Sequence, residues 1–150
     1  MKKYEVLTEE SYNLDKNKYN LESKMCYNNV FNFFSLRRLE FSIGKFKVCY
    51  GYGITDVSNV QNFCFRHAFV LDCEKDKIID PSLQFFIEGE SSKYFIFKIF
   101  DDVNEYLDLL SKERYPALEK GLRKEQLRFQ KKILTKTTYP KDYLLDVFSI

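Results

Sequence analysis

Three side chains of this 150-residue chain have the types and spacing for nucleophilic chemistry: Cys26, His67 and Asp80. His67 is the only histidine, so any mechanism that uses an imidazole must use this one. Cys26 falls in the first turn of a stretch patterned as a helix, 24–40, where Tyr27, Val30, Phe31 and Phe34 recur at helical spacing. Ser23 is the expected N-cap. A thiol at the head of a helix feels the partial positive charge of free backbone N–H groups, which favours thiolate. The same N–H groups are placed to hold an oxyanion on an attacked carbonyl. A nucleophile also needs a base within hydrogen-bond reach, and that base needs an orienting partner.

Asp80 suits the orienting role in one hairpin register. Residues 63–72 (FCFRHAFVLD) read as a strand, Glu74, Lys75 and Asp76 as a polar turn, and Lys77–Asp80 as a return strand stopped by Pro81. With the turn centred on Glu74 and Lys75, Asp80 faces Phe69. Side chains alternate, so His67 and Asp80 then share a face as diagonal neighbours, roughly 7–8 Å apart at the backbone. A turn with an odd number of residues would put them on opposite faces, and both registers are open at this level. Asp72 is the substitute orienter, although its parity sets it opposite His67.

The run Arg66-His67-Ala68-Phe69-Val70-Leu71-Asp72, followed by Ile78-Ile79-Asp80-Pro81-Ser82-Leu83, resembles the histidine–aspartate hairpin of transglutaminase-like and papain-like cysteine proteins. Cys26-Tyr27-Asn28-Asn29-Val30 resembles the helix start that carries the cysteine there. Small bacterial and phage proteins have a similar Cys-x-x-Asn, Gly-Tyr and His-Ala pattern, with Gly51-Tyr52 as the Gly-Tyr of this chain. The resemblance covers about residues 26–83. It implies an α+β, papain/transglutaminase-like fold, in which an N-terminal helix carrying the cysteine packs on an antiparallel β-sheet. It further implies a Cys26–His67–Asp80 triad for acyl transfer on a peptide, amide or ester, with hydrolysis as the default outcome and no cofactor. Asn29, Tyr52 and Arg66 are the candidate substrate-binding residues. Two departures stand out: no papain-type glutamine precedes the cysteine in 20–25, and Phe69 replaces the commoner Trp.

The remaining elements must position these groups. A short strand is expected near Tyr4–Leu7. Residues 45–53 (KFKVCYGYG) alternate as a strand, 54–62 reads as a loop, and 93–100 (KYFIFKIF) reads as a buried strand. Gly51 and Gly53 mark a strand end or a close backbone approach. Asp101 is placed to cap a helix 102–114 with Val103, Tyr106, Leu107 and Leu110 inward, and Pro116 to start another through about Lys136. The tail YPKDYLLDVFSI is apolar enough to pack back on the core. One domain, 1–150, with C-terminal helices follows.

Composition bounds the alternatives. Apolar residues make up 45% and aromatics 17%, which supports a real core rather than disorder. Net charge of +2 argues against a nucleic-acid partner. No apolar run approaches a membrane span, no leader segment is visible, and the cysteines (Cys26, Cys49, Cys64, Cys73) lack C-x-x-C spacing, so a reducing cytoplasm and no metal site are expected. Plainer roles exist for each residue: Cys26 as a small core hydrophobe, His67 as a satisfied core histidine, Asp80 as a turn starter. Two rival functions follow, a catalytically inactive binding module on the same scaffold and a basic interaction protein. The second would use 116–136, where Lys120, Arg123, Lys124, Arg128, Lys131, Lys132 and Lys136 face only Glu119 and Glu125. Oligomeric state is not encoded in any of these features.

Overall fold

The computed structural model describes residues 2–57, 60–86, 92–112, 128 and 144–149. Its strands are β1 (Tyr4–Glu5), β2 (Phe46–Val57), β3 (Val60–Asp72), β4 (Lys77–Ile79), β5 (Lys93–Ile99) and β6 (Leu144–Ser149). Its helices are α1 (Thr8–Tyr12), α2 (Cys26–Leu36), α3 (Arg38–Ser42) and α4 (Val103–Lys112), with a single 3-10 turn at Leu83–Phe85. The strands form one sheet in the order β1-β5-β2-β3-β4, and β6 pairs with β3. Every strand ladder is antiparallel except β3–β6, which is parallel. The fold is therefore α+β, built on a mainly antiparallel sheet.

The hairpin that carries His67 has the register that faces Asp80 toward Phe69. Val70 pairs with Ile79, Leu71 with Ile78 and Asp72 with Lys77, around a turn at 73–76. Asp72 accepts the Glu74 and Lys75 backbone N–H groups at 3.0 and 3.1 Å, so its carboxylate builds the turn and does not orient the histidine.

Sheet parity divides the core. Phe46, Val48, Tyr50, Ala68 and Val70 pack under α2 with Cys26, Tyr27, Val30, Phe33 and Phe34, and Tyr106 of α4 joins them. Cys49, Phe69, Leu71, Ile78 and Tyr94 form a smaller cluster on the other face. Ring contacts such as Tyr27–Tyr50 and Phe34–Tyr106, near 5 Å and edge-on, tie the helices to the sheet and to each other.

Several expectations are corrected. The single helix 24–40 is two helices. Lys24 has φ +63, so the chain is left-handed there and cannot yet be helical; Met25, not Ser23, precedes the first helical residue, and no side chain caps it. Arg37 breaks the helix at φ −116, where its guanidinium pairs with Glu40 at 2.7 Å and lies 5.4 Å from the Phe33 and Phe46 rings. The loop expected over 54–62 is instead the far end of a long hairpin, because each strand supplies the other's ladder partners as far as Val57 and Val60. Asp102, not Asp101, accepts the Glu105 N–H at the start of α4, while Asp101 pairs with Lys47. The tail does return to the sheet, as β6. Apart from Arg128, the expected helix 116–136 lies outside the described residues.

Gly51 is a close approach. A β-carbon there would collide with the Phe95 carbonyl oxygen of β5, beside the register shift between Tyr50 and Gly51. At Gly53 it would come within 2.7 Å of the Phe65 ring, which occupies the vacant space. Gly51→Ala should therefore destabilise the protein by about 2 kcal/mol or more, because the clash is with backbone and no rotamer relieves it. Thermal melts of the variant beside the wild type check this.

Candidate active site

His67 projects from β3 into an aromatic enclosure. The rings of Phe65, Phe86, Phe69 and Tyr94 lie 5.3, 5.5, 6.0 and 6.2 Å from its centroid. The imidazole is fully buried, and so is the Asp80 carboxylate. Nε2 of His67 and Oδ2 of Asp80 are 2.8 Å apart, the length of a charge-assisted hydrogen bond.

Asp80 is held from every side. Its Oδ2 also accepts the Tyr94 hydroxyl at 2.6 Å, and its Oδ1 accepts the Ser82 N–H at 2.9 Å. Its own N–H donates to the Ser11 hydroxyl of α1 at 3.0 Å, and its carbonyl accepts the Leu83 N–H. Asp80 thus starts a turn and orients the histidine at once. β4 ends at Ile79 just before Pro81, which has no N–H to continue it, so the Asp80 backbone N–H turns to Ser11 instead of the ladder.

The other ring nitrogen, Nδ1, makes no hydrogen bond of ordinary geometry. Cys26 is nevertheless close enough that its charge raises the proton affinity of the ring. With Nε2 held by Asp80, Nδ1 is the ring nitrogen open to the sulfur, and no hydrogen bond joins the two. Such contacts tighten when substrate closes a site, so the loose geometry is compatible with proton transfer. Burial alone would drive the proton off the imidazole. The Asp80 charge and then the Cys26 charge reverse that, and the ring's pKa is pushed up to about 10 from an ordinary 6.5.

β4 pairs with β3 only at residues 70–72, and β6 only at 64–66. Among the described residues, His67, Ala68 and Phe69 have no ladder partner on that side of β3. α2 packs on β3, and Cys26, fully buried, is its first residue.

The expected substrate-binding residues have other surroundings. Asn29 is fully buried. Its Oδ1 accepts the Glu22 N–H at 3.0 Å, and its Nδ2 donates to the Glu22 carbonyl and the Ser82 hydroxyl at 2.8 and 2.9 Å. Tyr52 is fully buried and pairs across the strands with half-buried Arg66, on the sheet face opposite His67. The structure brings together Cys26, His67 and Asp80, sets Asn29 one turn from Cys26, and leaves Tyr52 and Arg66 on the other face from the imidazole.

Three contributors escaped the sequence. Ser82 carried a signal, a hydroxyl residue two positions after an aspartate, which favours the Asp80–Ser82 turn. Tyr94 looked like one more aromatic in a strand of them, and Ser11 lies in a helix too short to leave a periodic pattern. Among the described residues Cys26, Cys49 and Cys73 are free, no cluster of side chains suits a metal ion, and no helix is long and apolar enough to cross a membrane. The chain matches no protein-family model, no curated protein and no solved structure.

The raised proton affinity of His67 predicts a pH dependence of stability. A folded pKa above the unfolded one gives stabilisation that is complete below about pH 6.5 and is lost as pH rises through about 10. The melting temperature should therefore decline as pH is raised from about 6.5 toward about 10. His67→Gln should flatten that decline. Melts across this range check both.

Proposed function

We propose that this chain is a cysteine-dependent acyl-transfer enzyme of papain/transglutaminase-like architecture that hydrolyses an amide or ester bond. The observation that carries the proposal is the buried 2.8 Å pair of His67 Nε2 with Asp80, which leaves Nδ1 open, beside a buried Cys26 whose charge acts on the same ring. A buried histidine–carboxylate pair is a poor way to stabilise a core, since apolar residues of similar volume fill such a space at no electrostatic cost. Perturbed, paired titratable groups of this kind concentrate at functional sites.

Each step has a group to perform it. His67 takes the thiol proton on Nδ1, and the Cys26 sulfur attacks the carbonyl carbon. The oxygen gathers negative charge in the first turn of α2, where backbone N–H groups lack a side-chain cap. Collapse of the tetrahedral adduct breaks the bond to the leaving group, which departs with the proton from His67. Water, deprotonated by the same ring, then releases the acyl group and restores the thiol. Asp80 keeps the ring in the tautomer and orientation this sequence needs, while Tyr94 and Ser82 hold Asp80.

A second proposal, a catalytically silent binding module on the same scaffold, has one observation in its favour: Cys26, His67 and Asp80 are all fully buried. Retention of partner binding in a Cys26→Ala/His67→Ala double variant would favour it.

Cys49 provides an internal control, being as buried as Cys26 and held as a thiol by that burial. Near neutral pH, iodoacetamide should alkylate Cys26 at least about tenfold faster than Cys49, with peptide mapping to separate them. Equal rates would contradict an activated nucleophile. Turnover of an activated ester such as p-nitrophenyl acetate should vanish in both Cys26→Ala and His67→Ala.

A further inference from the structure

We propose that Asn29 and Ser82 form a buried clamp that sets the position of the Cys26 sulfur relative to the His67 ring. This rests on the acyl-transfer proposal and makes both residues positioning residues, not substrate contacts.

The nucleophile and its base stand on different elements. Cys26 opens α2, whose first turn has no side-chain cap, and His67 and Asp80 belong to the β3–β4 hairpin and the turn after it. A helix end without a cap frays, so its first residue needs fixing from elsewhere. Asn29 lies three residues after Cys26, one turn along the helix. Its carboxamide ties α2 to the Glu22 backbone through two hydrogen bonds and to Ser82 through a third, and both Nδ2 protons are used. Ser82 in turn donates its N–H to Asp80, which holds Nε2 of His67. The path from the cysteine helix to the imidazole is thus Asn29, Ser82, Asp80, His67, with links of 2.9, 2.9 and 2.8 Å.

Each of these four residues is fully buried. Water cannot replace a lost partner without entering the core, so each bond fixes geometry more firmly than a surface bond would. The Asn29–Ser82 bond is the side-chain link in that path between the helix and the hairpin. Apolar packing of α2 on Ala68 and Val70 holds the helix against the sheet, but such contacts are non-directional and permit small shifts along the helix axis. A shift on the order of 1 Å at a reacting atom is enough to cost about 100-fold in rate.

Ser82→Ala removes the acceptor while keeping the backbone N–H bond to Asp80. The variant should remain folded by circular dichroism and keep the His67–Asp80 pair, seen in the ring signals by NMR. Its Cys26 alkylation and ester turnover should fall by about 10- to 100-fold, chiefly in kcat with KM little changed. A purely structural Ser82 would lower the melting temperature and leave the chemistry of the folded protein unchanged. A folded Ser82→Ala protein with wild-type Cys26 reactivity overturns the clamp. If Ser82→Ala does not fold, Ser82→Thr keeps the hydroxyl and decides the matter: wild-type reactivity supports the clamp, and a folded but unreactive protein overturns it. A wild-type Cys26 no faster than Cys49 would sink both proposals, whereas a fast thiol indifferent to Ser82→Ala sinks only this one.

Discussion

The hydrogen bond from His67 to Asp80 is the constraint around which the site is built. Both groups are fully buried, and moving either from water into an aromatic enclosure alone would cost several kcal/mol. The imidazole becomes tolerable there because Asp80 lies 2.8 Å away, and Asp80 because the Tyr94 hydroxyl and the Ser82 N–H share its charge. Losing one partner would strand the other, so the pair is held in place by the penalty for separating it. What this bond fixes is the direction of the free ring nitrogen.

The rest of the fold serves that direction. β4 ends at Ile79 and Pro81 turns the chain, so Asp80 leaves the ladder with its carboxylate toward β3. Among the described residues, His67–Phe69 of β3 pair with β2 alone, between the short ladders to β4 and β6. Gly53 leaves room for the Phe65 ring, and that ring packs against the imidazole in a T-shape. Small features of strands β2 and β3 thus decide the surroundings of a side chain several residues away.

Much of this was legible in the sequence, for identifiable reasons. A lone histidine in a strongly patterned strand, a polar turn and an Asp-Pro stop define a hairpin with two open registers, and the structure has the one that juxtaposes His67 and Asp80. The apolar stripe of α2 is local and was equally readable. The end of α2 was not: Arg37 leaves the helix with its guanidinium on Glu40 and near the rings of Phe33 and of Phe46, the last of which belongs to β2. The strand length beyond Gly53 depends on a partner strand, which a loop-like composition hides. Asn29 was noticed for its spacing from the cysteine, yet its bonds to Glu22 and Ser82 depend on a turn 53 residues away. Tyr94 and Ser11 reach Asp80 only after the sheet and α1 have assembled.

The central claim is that the Cys26 thiol and the His67 ring act on one another. The most direct measurement is an NMR titration of the His67 ring nitrogens in the wild type and in Cys26→Ala. Because negative charge on the Cys26 sulfur raises the proton affinity of the ring, removing the sulfur should move the titration midpoint to lower pH while the Nε2–Asp80 hydrogen bond persists. An unchanged midpoint would mean that sulfur and imidazole do not interact, and the proposed chemistry would have no base for its nucleophile.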